Sequence, residues 1–476
     1  MPVSLALDFG TTSISAIAIR HTGEPVAKVT HPHDAAIPGL PAGRAEQRPE
    51  RLFELGLDVL ARLVADVREP VTALGLTGQM HGVLLVDDRL VPQTPLITWQ
   101  DKRSLETPNG GGPRPYDELL SRVTDAEMEP TGCRLSPGYL GTTLFTLLQT
   151  GAWPTGAKRA LVFADWAAAQ LSGTAGATDS SNAGSTGLFD VQRGEWSAGL
   201  LERAGIAAEW LAPVRNSGEP LGGLMAEFAR KTGLPEGLPV CNAIGDNQAA
   251  VLGSVPAAEP GIQINVGTGG QINWPVAAFT RLPGMDTRAL PVGRVMLVGA
   301  GLVGGDSFAW VNRTVRQWLA AFGVERTSDE VYDVLNRAAE QVPDDIDGLV
   351  CQPLFRGTRR QPDARGLFSG VTPTNFTPGH LARGVVRGIV EGFYSFYEQA
   401  GAARPESLTR VIGSGNGLRK NLLLTREIAS RFERPVFVAR HEEEAAYGAA
   451  LLAGTATGLW PSLETAGRGI ELVRVA

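Results

Sequence analysis

An apolar strand running into a glycine-threonine turn occurs twice in this chain. LALDFGTTSI (5–14) can be laid on IQINVGTGGQ (262–271), with Gly267-Thr268 falling on Gly10-Thr11 at a spacing of 257 residues. Further into each half a strand again runs into glycines and a polar turn, first as LGLTGQMHG (74–82) and then as VIGSGNGLRKN (411–421). The halves are read as a coarse duplication; chance similarity between two short Gly-Thr stretches is the competing reading. Two such turns facing each other across a cleft suit a polyphosphate, because backbone N–H groups and hydroxyls from both halves converge on it.

The first turn has its own chemistry. The strand stops at Asp8, Gly10 is flexible, and Thr11, Thr12 and Ser13 are short donors beside free backbone N–H groups, which makes an anion cradle. A plain hairpin turn is the blander alternative, since Ile14 to Ile19 continue in strand-like alternation. With 476 residues, 43% hydrophobic and 20% charged, the chain can bury large cores and form two or three domains at about 100 to 200 residues each. Apolar periodicity near 3.6 in RLFELGLDVLARLVADV, with Leu52, Leu55, Val59, Leu60 and Leu63 on one face, predicts a helix after the opening strands. VTALGLTG reads as the next strand and TPNGGGPRPY (107–116) as an exposed loop. The turn-rich stretch 217–240 leads to a second strand-glycine punctuation, where the chain divides into domains 1–244 and 245–476.

Several partners are disfavoured. A net charge of -7, a pI near 5.6 and the lack of a long Lys/Arg run provide no basic field for nucleic acid. Three isolated cysteines, Cys133, Cys241 and Cys351, make neither a disulfide framework nor a metal knuckle, and Met1 leads straight into a strand, so the cytoplasm is the expected location. No apolar run approaches the roughly 20 residues that a membrane helix needs.

Three clusters offer chemistry. In AIGDNQAAVLGS (243–254), Asp246 follows a strand and Gly245 and opens a small-residue helix; helix capping is the ordinary reading of an aspartate there. GLTGQMHGVLLVDD (75–88) places Gln79, Met80 and His81 on one turn, and His81 reads as a hydrogen-bonding group rather than a zinc ligand. In ITWQDKR (97–103), Trp99 offers a flat apolar face and Asp101 and Arg103 an acceptor and a fork of donors, which suits a sugar but equally a solvated ion pair beside a buried tryptophan. MLVGAGLVGGDSFAW (296–310) carries G-x-G-x-x-G at Gly299, Gly301 and Gly304 and raises NAD binding as a rival. The helix-like VNRTVRQWLAAFG leads to a second helix-like stretch, SDEVYDVLNRAAEQV, so the βαβ context of a dinucleotide site is missing.

In this order, DFGTTS, AEQRPE, GQMHG, TWQDKR, GDNQAAVLG, INVGTGG, PLFRGTRRQPDARGLFSG, GSGNGLRKNLLLTREIASRF and EEEAAYGAALLAG resemble the FGGY family of carbohydrate kinases over nearly the whole chain. The resemblance implies an α/β fold of two actin-like (ribonuclease-H-like) ATPase domains with a catalytic cleft between them, binding ATP, Mg²⁺ and a small-molecule ketose and leaving room for a homodimer. It gives Asp246 the role of general base for the sugar's terminal hydroxyl, and Asp8, with Asp246, the metal. Thr11, Thr12 and Ser13 would face the transferring phosphoryl group, and Gly267, Thr268 and Gly269 would form the second phosphate loop. Gln79, Met80, His81, Asp101, Asp246 and Asn247 match sugar-holding positions, with Trp99 and Arg103 shaping the same wall. Gly304 and Gly305 resemble the glycine pair beside the nucleotide phosphates. Gly413, Gly415 and Asn416 lie where adenosine is gripped, although Ser414 and Asn416 depart from the family's Gly-Gly-Gly-Ser/Ala-Lys pattern.

For the acceptor, GQMHG and W-x-D-x-R resemble xylulokinases, whereas TWQD, Gln248 after Asn247 and GSGNGLRKN lean towards sedoheptulokinases. Sedoheptulose is the expectation and D-xylulose the alternative. An actin-like ATPase without kinase activity is the rival from another class.

Overall fold

The computed structural model describes residues 1–476 apart from 109, 257–260, 356, 358–363 and 406. Part of the PLFRGTRRQPDARGLFSG motif and one residue of the 107–116 loop therefore lie outside the described residues. That loop runs directly into a helix at Pro115–Arg122.

The first half is built on β1 (Val3–Phe9), β2 (Ser13–Arg20), β3 (Pro25–Pro32), β4 (Val71–Gly78), β5 (Pro220–Gly223), β6 (Pro239–Cys241) and β7 (Ile244–Gly245). They form one sheet in the order β5-β6-β4-β1-β2-β3, with β7 also paired to β4. β1, β2 and β3 are an antiparallel meander, while β4 runs parallel to β1 and to both β6 and β7. β1 has two buried faces, each with its own partner. Leu5, Leu7 and Phe9 pack into the core covered by α1 (Pro49–Asp66), where Leu52, Val59, Leu60 and Leu63 of the predicted stripe are buried, Leu55 is partly buried against it, and Leu57 joins them. Ser4 and Ala6 face the opposite way, as period-2 alternation requires.

The second half repeats the plan. β8 (Ile262–Val266), β9 (Gly269–Val276), β10 (Asp286–Leu290), β11 (Arg294–Val303), β12 (Val411–Ser414), β13 (Val436–Ala439) and β14 (Leu472–Arg474) form a sheet in the order β10-β11-β9-β8-β12-β13-β14. β8 with β9 corresponds to β1 with β2, and β12, parallel to β8, corresponds to β4. The repeat seen in the sequence is thus a repeat of topology. After β11, α4 (Gly305–Ala321) leads into a second helix, α5 (Ser328–Glu340), so the helix that follows the G-x-G-x-x-G run does not return to a strand beside β11.

Two helices exchange between the sheets. α3 (Asp246–Ser254) leaves the first sheet and presents Val251 to Val298 and Ile412 of the second, whereas α6 (Glu444–Ala456) leaves the second and packs Ala446, Tyr447 and Ala450 against Ala6, Ile17 and Ile19 of the first. They cross where Gly253 and Gly448 meet. A Cβ on Gly253 would stand 2.0 Å from the Glu444 carbonyl oxygen, and one on Gly448 1.9 Å from that of Ala249. Only glycines allow this approach, and the crossing joins the two halves.

Candidate active site

The register of three parallel strands brings the polar turns together. Asp8 pairs in register with Thr77, and Thr77 with Ile244; one step on, Phe9, Gly78 and Gly245 stand level. The residues that follow emerge side by side at the carboxyl ends of the strands, where open α/β sheets bind ligands. These are Gly10 to Thr12, Gln79 to His81, and Asp246 with Asn247. The Gln79 N–H donates to the Phe9 carbonyl at 2.9 Å, which closes the corner. A cavity opens there, lined by Thr11, Met80, His81, Trp99, Asp246, Asn247 and Gln248 of the first half and α3, and by Gln271, Asp286, Arg288, Val298 and Ala300 of the second sheet.

Asp246 is the first residue of α3 and does not cap it; Gly245 stands at the cap position without a side-chain bond. The Asp246 carboxylate accepts from the Asn247 N–H at 2.7 Å, and burial, only partly offset by that bond, pushes its pKa up to about 6. A carboxylate tuned there is ionised at neutral pH yet basic enough to take a hydroxyl proton. Asp8 is raised well above the ordinary carboxylate range by burial first and by the charges of Asp246 and Glu443 next. Its Oδ1 is buried without a hydrogen-bond partner. Glu443, at the start of α6, accepts from Thr30 Oγ1 at 2.6 Å.

An orphaned carboxylate oxygen held among like charges calls for a cation, and the donor set of Asp8 and Asp246 fits Mg²⁺. Among the described residues no three acidic or imidazole groups are close enough to form an all-protein metal cage. That suits an ion that keeps several waters and binds through one or two carboxylates and phosphate.

His81 adopts a left-handed backbone (φ 72°) and is fixed from three directions. Its ring stacks parallel on Tyr139 with centroids 4.3 Å apart; Nδ1 lies 2.8 Å from the Ser185 carbonyl, and its N–H donates to Ser185 Oγ at 3.2 Å. A carbonyl partner makes Nδ1 the protonated nitrogen. Arg288, carried across from β10, donates to the Gly184 carbonyl at 2.6 Å, the Tyr139 hydroxyl at 2.8 Å and Asp286 at 2.9 Å. The Thr287 N–H also donates to the Gly132 carbonyl at 2.7 Å. The edge strand of the second sheet is therefore docked on the first half.

Trp99, expected to be buried if its neighbours were a surface ion pair, is 40% exposed, lines the cavity and donates Nε1–H to Thr11 Oγ1 at 3.0 Å. Asp101 and Arg103 do not line the cavity. Asp101 is 1% exposed and accepts from the Ala45 N–H at 2.9 Å and from Arg103 Nε at 2.8 Å, while Arg103 also pairs with Glu46. Gln79 is likewise buried and donates to Gln47 Oε1 at 2.8 Å. These three side chains lie behind the wall rather than on the cavity, and the Asp101–Arg103 ion pair is buried, not the solvated surface pair of the ordinary reading.

In the second half, Gly267, Thr268 and Gly269 form the turn between β8 and β9, across the topological repeat from Thr11, Thr12 and Ser13. The Gly305 N–H donates to the Gly267 carbonyl at 2.9 Å and that of Asp306 to the Thr268 carbonyl at 3.1 Å, so α4 begins on the turn. A Cβ on Gly304 would stand 2.3 Å from the Gly269 carbonyl oxygen. Gly413 lies in β12, Gly415 follows it with φ 81°, and Asn416 opens a short helix; a Cβ on Gly415 would reach 2.7 Å from the Val266 carbonyl oxygen. The ends of β8 and β12 thus form one glycine-lined surface.

Tyr139, Ser185, Gln271, Asp286 and Arg288 were not singled out in the sequence. DTRAL reads as an ordinary strand, and its one available signal is two opposite charges at i, i+2, which alternation puts on one face.

Residues 3–253 match the N-terminal domain, and residues 265–457 the C-terminal domain, of the FGGY family of carbohydrate kinases. The chain is 28% identical to the sedoheptulokinase of Mus musculus over 95% of its length and 97% of that protein. It is 25% identical to the gluconokinase of Bacillus subtilis (strain 168) over 95% of its length and 87% of that protein. Among solved structures, the xylulose kinase of Rhodospirillum rubrum is similar at a TM-score of 0.85 and 25% identity, covering 99% of this chain and 93% of that one.

Proposed function

Since the chain belongs to the FGGY family of carbohydrate kinases, phosphotransferases that use ATP and an alcohol acceptor, we propose that it phosphorylates the terminal primary hydroxyl of a ketose, sedoheptulose ahead of D-xylulose. The observation that carries this reading is Asp246, a carboxylate pushed up to about 6 by burial in a cavity shared with His81 and Trp99 and level with the first Gly-Thr turn. In this reading the domains divide at 244/245.

The chemistry needs positioning and charge stabilisation more than covalent steps. Asp246 takes the proton of the acceptor hydroxyl as its oxygen forms a bond to the γ-phosphorus, the bond from that phosphorus to the ADP oxygen breaks, and the proton leaves with solvent after product release. His81, Met80, Trp99, Asn247 and Gln248 bound the sugar; Gln79, Asp101 and Arg103 support that wall. Thr11, Thr12 and Ser13 donate to the transferring phosphoryl group, and Gly267 to Gly269 with Gly304 and Gly305 receive the remaining phosphates at the start of α4. Gly413, Gly415 and Asn416 border the nucleoside. When bound, Mg²⁺ at Asp8 and Asp246 neutralises phosphate charge.

Sedoheptulose is supported by TWQD, Gln248 and GSGNGLRKN and by the mouse relative; the gluconokinase and xylulose kinase likenesses keep other acceptors in the test. Steady-state ADP release with Mg-ATP against sedoheptulose, D-xylulose, L-xylulose, D-ribulose, L-ribulose, gluconate and glycerol decides among them. A preference for sedoheptulose that vanishes in Asp246→Ala is expected. ADP release indifferent to every acceptor would favour the non-kinase ATPase.

A further inference from the structure

Residues Asp179 to Thr186, DSSNAGST, touch three walls of the cavity from behind. Asp179 is fully buried at the N-cap of α2 (Ser180–Ala183), where its Oδ1 accepts from the Asn182 N–H at 2.8 Å. Ser181 Oγ donates to the same carboxylate, 2.7 Å from Oδ2 and 2.8 Å from Oδ1. With its proton so committed, Ser181 Oγ accepts the Gly245 N–H at 2.8 Å. Two residues beyond α2, Ser185 holds His81 through its carbonyl and hydroxyl, and between them the Gly184 carbonyl receives Arg288.

Gly245 is the residue from which Asp246 departs. β7 is two residues long and, among the described residues, pairs with β4 alone, so one of its edges has no neighbouring strand there. Ser181 Oγ occupies that edge and takes the amide that a strand would have taken. A glycine there has no side chain to wedge it in place, and Met80 packs over the spot where a Cβ would stand, with its Cε 2.5 Å away. The hydroxyl therefore fixes the backbone just before the carboxylate.

We infer that Ser181, oriented by Asp179, is a positioning residue for phosphoryl transfer: by holding the Gly245 N–H it sets the direction in which the Asp246 carboxylate meets the acceptor hydroxyl. The inference rests on the reading of Asp246 as the base. A small misplacement of a reacting group lowers turnover far more than it lowers binding of a remote nucleotide.

The test compares Ser181→Ala with Ser217→Ala, because Ser217 Oγ also donates to Asp179 but does not touch Gly245. Asp246→Asn is measured beside them on the acceptor preferred in the panel. Expected are a fall of about 10- to 100-fold in kcat for Ser181→Ala with KM for ATP within about twofold, and kcat within about twofold for Ser217→Ala at a comparable loss of thermal stability. Asp179→Asn, which keeps the shape and one acceptor, gives a smaller kcat loss in the same direction and stands in if Ser181→Ala does not fold. Unchanged kcat in both Ser181→Ala and Asp179→Asn, or parallel losses in Ser181→Ala and Ser217→Ala, overturn the inference while an inactive Asp246→Asn keeps the base. An active Asp246→Asn overturns both.

Discussion

Arg288 Nη1 donates to the Gly184 carbonyl across 2.6 Å, joining the edge strand of the second sheet to the cavity wall of the first half. The same guanidinium reaches the Tyr139 hydroxyl, and Tyr139 stacks on His81, so one residue of the second sheet braces a turn that lines the cavity. Arg288→Met leaves Asp286 and the Gly184 carbonyl without this donor. With hydrogen bonds to charged groups contributing about 1.5–3 kcal/mol, KM for the acceptor should rise roughly 10- to 100-fold, while KM for ATP changes little. Arg288→Lys should not restore it, because an ammonium cannot reproduce the fork. Initial-rate kinetics with each substrate varied separately decide this.

The raised pKa of Asp246 sets a pH dependence. The base acts when ionised, so kcat/KM for the acceptor should be level above about pH 6 and fall with unit slope below it, the carboxylate being mostly protonated one unit lower. Asp246→Asn should lose about 10²–10⁴-fold and with it the acid limb. A limb at the ordinary carboxylate range near pH 4 would show that burial does not tune this group.

Asp8 is held against its own stability. Burial and the charges of Asp246 and Glu443 raise its pKa, so ionising it disfavours the folded state. Asp8→Asn should raise the unfolding free energy by about 1 kcal/mol while reducing phosphoryl transfer, a gain in stability for lost function. The sign follows from linkage. A carboxylate raised in the folded state destabilises above that raised pKa, so the gain from Asn is fully present at high pH and shrinks as pH falls through it. Denaturant titrations at pH 8 and pH 5 should show the larger gain at pH 8.

Gly304 lies against the second Gly-Thr turn. A methyl added there would meet the Gly269 carbonyl oxygen 2.3 Å away. Gly304→Ala should push the turn away from α4 and raise KM for ATP about tenfold, the equivalent of roughly 1.4 kcal/mol, with KM for the acceptor within about twofold. Isothermal titration with ADP provides an independent check.

Much of the frame was legible because it rests on local pattern. The stripe of Leu52, Leu60 and Leu63 marked a helix with one buried face, whereas the level arrival of Gly10, Gln79 and Asp246 follows from the register of β1, β4 and β7, whose last residues Phe9, Gly78 and Gly245 stand side by side. Asp246 and His81 stand out in the sequence as polar residues on short turns after strands and Trp99 as a flat apolar face, and the resemblance to the carbohydrate kinases supplied their expected roles. Asp101 and Arg103 were harder, since their types suit a sugar as well as an ion pair. The choice was made by Ala45 and Glu46, some 55 residues away, whose N–H and carboxylate close the network and bury it. Capping, the ordinary expectation for Asp246, gave way because Gly245 had already taken the cap position.

By itself, then, the sequence determined two similar α/β halves, the turns that end their strands and the residues those turns present, because strand periodicity, glycine placement and helix stripes are properties of neighbours along the chain. Only the tertiary structure decided that α3 and α6 exchange sheets across Gly253 and Gly448, that Arg288 enters the first half's wall, and that Ser181 stands behind Gly245. Those contacts join segments 64 to more than 100 residues apart, and no local pattern encodes which distant donor a buried carbonyl or amide will find.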